Sequence, residues 1–384
     1  DAIRLKPDYA EAWTHMGAVL FHQGKTEEGV GACRRAIELD PTSADAHQVL
    51  ASVLMKAGDT EAAIAGYHEA LRHNPEHRDS HFSLACHQLL HGQFKDAWRH
   101  YRYRGGSARG PHAPLPTNLR GARILLIRNQ GFGDELFFLR FAVQLKARGA
   151  WLAYLPGSKM GVLMARLSCL DSIVRKDETL ENIAWRLSVG DLPLALGMDD
   201  ASGIPPPLPL PALAEHIAPM RARLAALGPP PYVGVTWRAG SKDNKELLFK
   251  ECPLSEIAAT LKNLPATVLV LQRKPETTEI EAFSQALGRE AYDLSALNDD
   301  LEQMLALLAL LDDYVGVSNT NMHLMAGLGK TARVLVPHPP EWRWMAEGSE
   351  SPWFKGFAVY RQQPDKDWGG AFERLRQDLL HAFA

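Results

Sequence analysis

Asp313-Tyr314-Val315-Gly316-Val317-Ser318-Asn319-Thr320-Asn321-Met322-His323-Leu324-Met325-Ala326-Gly327-Leu328-Gly329-Lys330 decides the fold class of the larger, C-terminal part of this chain. A short, largely apolar run leads into four small polar residues, and an apolar pattern of helical period follows. A buried strand passing through a polar turn into a helix is half of a βαβ unit, and such units build parallel sheets covered by helices. The first turn of such a helix carries amides without carbonyl partners and the positive end of the helix dipole, which together suit a diphosphate. Ser318, Asn319, Thr320 and Asn321 add hydroxyl and amide groups for phosphate or ribose, and His323, one turn in, faces either a ligand or the core.

Working outward, strand signals at 232–237, 267–271 and 333–336 and helical patterns at 276–287 and 301–311 predict a Rossmann-like lobe over 231–368. Proline-rich stretches at 204–211 and 228–231 mark a break before it. Upstream, a strand at 124–127, a turn at Gly131-Phe132-Gly133-Asp134, a helix over 135–148 and a strand at 151–155 predict a first lobe over 119–215. In such open sheets a ligand binds at the carboxyl ends of the strands, so a crevice between the two lobes is the expected site.

Three segments join Ser318 to His323 as candidates. The loop Gln130, Gly131, Gly133 with Asp134 opens the first lobe's helix; a dinucleotide fingerprint would need glycine where Leu136 stands, so nicotinamide chemistry is disfavoured. Asp134 either caps that helix or faces the crevice as a base. Arg238, Lys242 and Lys245 follow a strand end and either meet a phosphate or form a charged surface loop, with Arg238, nearest the strand end, the best candidate of the three. Trp342 and Trp344 lie in a strand-end loop, to border a sugar or base or to pack on the lobe.

The N-terminal residues repeat. Pro7, Pro41 and Pro75 stand 34 residues apart; Gly17, Ala51 and Ala85 share one phase, Gly29, Ala63 and Ala97 a second, and Gly24, Gly58 and Gly92 a third. Small residues at the first two let paired helices approach, and glycine at the third turns the chain between them. The pattern resembles the tetratricopeptide (TPR) family over 1–105, an all-α solenoid, and 106–118 reads as a Gly/Pro linker. Because 2–7 matches 36–41, the chain is expected to begin inside a repeat and the array to be a truncated one. The first helices would turn Glu11, Thr14, Ala18, Asp45, Gln48, Ser52, Asp79 and Phe82 towards a groove for a protein or peptide partner; a spacer is the plainer alternative.

Composition adds limits. Across 384 residues, 42 Lys and Arg against 45 Asp and Glu give a net charge of -3, with no global drive towards nucleic acid. Four scattered cysteines show no CxxC pair or zinc-ligand rhythm, which favours reduced thiols in a cytoplasmic setting, and the fifteen histidines are similarly dispersed. With no apolar run long enough to span a bilayer and no leader pattern, a cytoplasmic protein is expected.

On Gly133-Asp134, Trp237-Arg238 with its basic loop, 318–329, Trp342-Arg343-Trp344 and Ser351-Pro352-Trp353, residues 119–384 resemble bacterial TPR-linked glycosyltransferases of the GT-B fold. These are related to the ADP-heptose:lipopolysaccharide heptosyltransferases (glycosyltransferase family 9); a looser resemblance is to TPR-bearing O-GlcNAc transferases. The resemblance implies inverting, metal-independent transfer of a sugar from a nucleotide-diphosphate donor, without a cofactor. It places the acceptor on the first lobe, the donor on the second, and Asp134 as the base, while a helix in 369–384 crosses back to the first lobe. Where that family has an Asp-Thr pair, this chain has Ser318-Asn319. The alternative is a non-catalytic TPR adaptor carrying a degenerate binding module.

Overall fold

A computed structural model describes residues 2–104, 111–128, 131–157, 161–175, 178, 180–239 and 250–384. The chain forms two compact units: residues 1–114 with 197–200, and residues 115–196 with 201–384. The first unit is helical. After α1 (Ala2–Leu5) come three hairpins: α2 (Ala10–His22) with α3 (Thr26–Leu39), α4 (Ala44–Ala57) with α5 (Thr60–His73), and α6 (Arg78–Leu90) with α7 (Phe94–Tyr101). Gly24, Gly58 and Gly92 make the inter-helix turns at φ of 78°, 91° and 73°, where a side chain would be strained. A Cβ on Gly17 would fall 2.3 Å from the Cys33 sulfur, so glycine there sets how closely α2 and α3 approach. A second rule of the repeat is polar: Trp13 Nε1 donates to the Pro7 carbonyl at 2.8 Å, and His47 and His81 hold the Pro41 and Pro75 carbonyls through Nε2 at 3.0 and 2.9 Å. Several residues expected in the groove bond to neighbours within the array, although the Asp45 side chain stays 83% exposed. Thr14 is buried on the Ala10 carbonyl, Gln48 donates to Ser52, and Asp45 pairs with His77.

The second unit contains two parallel sheets. In the first lobe, β1 (Arg123–Ile127), α8 (Phe132–Leu139), α9 (Ala142–Ala147), β2 (Trp151–Leu155), α10 (Gly161–Met164), β3 (Ser172–Ile173), β4 (Trp185–Ser188) and α11 (Leu192–Leu196) give the order β3-β2-β1-β4. The helix expected over 135–148 is two, because the Phe141 and Gln144 amides bond three residues back, to Phe138 and Phe141, and tighten the chain between α8 and α9.

Next along the chain is α12 (Ala214–Leu227). Then come β5 (Tyr232–Thr236), β6 (Arg238–Ala239), β7 (Lys250–Glu251), α13 (Leu254–Leu261), β8 (Thr267–Val270), α14 (Thr277–Leu287), β9 (Tyr292–Asp293), α15 (Leu301–Leu310), β10 (Asp313–Val317), α16 (Thr320–Gly327), β11 (Arg333–Val336), β12 (Ala358–Arg361) and α17 (Gly369–Ala382). The second lobe's six strands run β12-β11-β10-β5-β8-β9, a doubly wound order that reverses between β5 and β10; the first lobe reverses between β1 and β4. β10 lies tight on β5: a Cβ on Gly316 would fall 2.1 Å from Thr236 Oγ1.

The proline-rich stretch at 204–211, between α11 and α12, is packed, with Leu208 and Leu210 buried and the Leu210 amide on the Gly327 carbonyl at 2.7 Å. One expectation is corrected. Helix α17 buries Phe372, Leu375 and Leu379 in the second lobe's own core with Val233, Ile257 and Leu261, rather than returning to the first lobe. Among the described residues no helix is long and apolar enough to cross a membrane.

Candidate functional site

At the end of β10 the polar residues are turned inward. The Asn319 side chain accepts from the Asn321 amide at 2.8 Å, and its nitrogen donates to Thr236 Oγ1 at 2.8 Å, the Tyr314 hydroxyl at 2.9 Å and the Val317 carbonyl at 3.0 Å. Thr236 and Tyr314 also bond each other, at 3.0 Å. Asn319 is therefore the N-cap of α16 and the tie between β5 and β10, which removes its side chain and the Asn321 amide from ligand binding. Asn321 itself is buried. Ser318, also buried, donates its hydroxyl to Glu341 at 3.0 Å. Thr320 remains partly exposed, with Gly133 of the first lobe beside it: a Cβ on Gly133 would lie 3.8 Å from Thr320 Cα and 3.1 Å from the His323 ring. The helix start thus faces the first lobe, capped and covered by α8 rather than bare.

His323 sits edge-on to Phe137 and Phe354, and its Nδ1 has no hydrogen-bond partner. Burial, then the Arg343 and Arg140 charges, push it well below the usual imidazole range, so it is neutral.

A chain of four charged residues links the lobes here through one crossing pair. Glu341 bridges Lys250 and Arg343, and Arg343 in turn grips Asp134. Burial would raise the Glu341 carboxyl, yet the Lys250 and Arg343 charges hold it far below the usual carboxylate range. Lys250 also reaches the Ser318 carbonyl at 3.4 Å. Asp134, at the third position of α8, accepts from the Gly131 amide at 3.2 Å, so it is both a helix cap and a crevice residue. Under Arg343 lie the rings of Phe137 and Trp342, each 4.5 Å away. Arg140 is buried over Phe137 at 4.6 Å and donates to the Trp353 carbonyl at 2.8 Å; burial and Arg343 draw it down to about 9.

Other expected residues lie elsewhere. Arg238 is clamped by both oxygens of Glu279, at 2.7 and 2.8 Å, and by the Lys274 carbonyl, so its charge is spent in its own lobe. Trp342 and Trp344 are buried, Trp344 stacked 4.8 Å from Phe354, and they form the wall behind Arg343 rather than its rim. Gln130, Lys242 and Lys245 fall outside the described residues. Arg140, Lys250, Glu341 and Arg343 escaped sequence reasoning as site residues. The available signal was Glu341-Trp342-Arg343, two opposite charges within an aromatic run, where burial forces pairing.

Comparisons with known proteins agree with this architecture. Residues 20–81 match the tetratricopeptide repeat model. Protein FlbA of Caulobacter vibrioides is 24% identical over 323 residues, covering 75% of this chain and 52% of that protein. The chain thus spans about half the length of this curated relative. A glycosyl transferase family 9 structure from Veillonella parvula superposes with a TM-score of 0.50 at 10% identity, over 67% of this chain and 90% of that one. The E. coli ADP-heptose LPS heptosyltransferase II structure gives 0.49 at 14% identity, over 68% and 100%. The chain joins a TPR array to a two-lobed, parallel-sheet domain with the GT-B fold of the family 9 structure.

Proposed function

We propose that the α/β unit is a glycosyltransferase that moves a sugar from a nucleotide-diphosphate donor to an acceptor hydroxyl, with inversion and without a metal, in the cytoplasm. The TPR array would recognise a protein acceptor or partner. The observation that carries this reading is the ion pair between Asp134, at the carboxyl end of β1, and Arg343, in the loop after β11. It brings a carboxylate of one lobe and cations of the other to the strand ends where doubly wound folds bind ligands. In the reaction Asp134 accepts the proton of the attacking hydroxyl. Arg343 and Lys250, with Lys242 and Lys245 as further candidates, balance the charge that develops on the leaving diphosphate. Arg343 must leave Asp134 for this to happen, so the present pairing is a closed arrangement that the donor opens.

The Asp134→Asn variant tests the assignment. Turnover is expected to fall roughly 10²- to 10⁴-fold while nucleotide affinity stays within about threefold. Unchanged turnover removes Asp134 from the mechanism.

A specific observation favours a second reading, the non-catalytic adaptor: Arg238, Ser318 and Asn319 are all satisfied within the fold. Calorimetric titration with ADP, UDP, GDP and their sugar conjugates separates the two. Binding of none of them favours the adaptor.

A further inference from the structure

In the repeat unit, His47 on α4 and Glu69 and His73 on α5 bring their ligand atoms within 4.8 Å of one another. We propose that this trio is a binding site for a divalent transition-metal ion of the zinc type, clipping the two helices of the middle hairpin together.

The chemistry of the donor set is that of zinc: two imidazoles and one carboxylate, with a water to complete the shell. His47 Nε2 donates to the Pro41 carbonyl at 3.0 Å, which fixes the ring and leaves Nδ1 its lone pair. A backbone partner on the second nitrogen is what orients a metal-ligating histidine. The His47 and His73 rings lie 16° from parallel with centroids 5.5 Å apart, and Glu69 Oε1 is 3.2 Å from His73 Nε2. Arg72 pairs with Glu69 at 2.6 and 3.0 Å and its Nη2 also donates to His73 Nε2 at 2.8 Å, so the guanidinium holds both α5 donors and a metal must displace it. These are contacts of an exposed side chain with near neighbours on one helix, the kind that contributes little.

The repeat argues that the trio is not required by the scaffold. One repeat earlier the same three positions are Trp13, Arg35 and Leu39, and Trp13 makes the same bond to its proline carbonyl. The variants His47→Trp, Glu69→Arg and His73→Leu therefore copy residues the fold already accepts.

Titration of the full chain with zinc chloride, and with cobalt followed by its visible absorption, is expected to give one site of micromolar or tighter affinity. Zinc should raise the melting temperature, and affinity should fall on acidification as the imidazoles protonate. Each variant should weaken binding at least tenfold with unchanged circular dichroism. Absence of binding, or equal binding by the wild-type chain and by His73→Leu and Glu69→Arg, overturns the proposal.

Discussion

At the end of β10 the chain turns its polar residues inward, whereas at the end of β1 it sends a carboxylate across to the other lobe. Both places are a strand followed by a helix at a switch point of a parallel sheet. Asn319 is absorbed by its own lobe, holding Thr236, Tyr314 and the Asn321 amide. Asp134 caps α8 but keeps an oxygen for Arg343. The difference follows from spacing. β10 and β5 touch through Gly316, so a polar group at their ends reaches the neighbouring strand first. A residue at the third position of a helix instead stands proud of its sheet, free to meet whatever faces it.

The contrast can be broken most severely at Glu341, the buried link between the two ends. Glu341→Gln leaves Lys250 and Arg343 under-compensated and should cost about 3–5 kcal/mol of unfolding free energy. Urea unfolding followed by tryptophan fluorescence measures it, and an unshifted midpoint would mean that solvent screens the network. Next comes Asn319→Ala. It deletes the cap of α16 and the tie to Thr236 and Tyr314, whose hydroxyls keep only each other, for about 2–3 kcal/mol. A loss below about 1 kcal/mol would show that water takes over the side chain's bonds.

Acidification sharpens the picture further. His323 in the α/β unit and His100 in the repeat unit both have folded values below the ordinary 6.5, His100 at about 4, with burial the first cause in each. A depressed folded value means the unfolded chain binds more protons. Their contribution is therefore complete above pH 6.5 and is lost as pH falls, for His100 through the window from 6.5 to 4. For His100 the loss between pH 7.5 and 5 is at most about 2 kcal/mol, less what partial exposure screens. Thermal melts across that range should fall, and His100→Asn should flatten the fall. The smallest effect belongs to Asp134→Asn: Arg343 is buried but keeps Glu341, and the Asp134 side chain is 22% exposed, so stability should change by about 1 kcal/mol. A larger loss would make the lobe contact structural and weaken the case for a residue that a donor must free.

The repeat was the most legible part of the sequence, because a 34-residue period imposes glycine, alanine and proline at fixed phases, and local sterics alone then specify each hairpin. Strands β5, β8, β10 and β11 were legible for a similar reason: a strand buried on both faces is a continuous apolar run whatever it pairs with. The partners of the polar residues were not legible. Nothing local to Arg238 announces that Glu279 will take its charge, and Arg343 meets Asp134 across 209 positions of sequence. Sequence by itself determined which segments are helix, strand and repeat, since those depend on neighbours along the chain. Only the tertiary structure decided which charged and hydrogen-bonding groups are spent on the fold and which face the other lobe. A buried polar group must find a partner, and the partner is chosen by proximity in space.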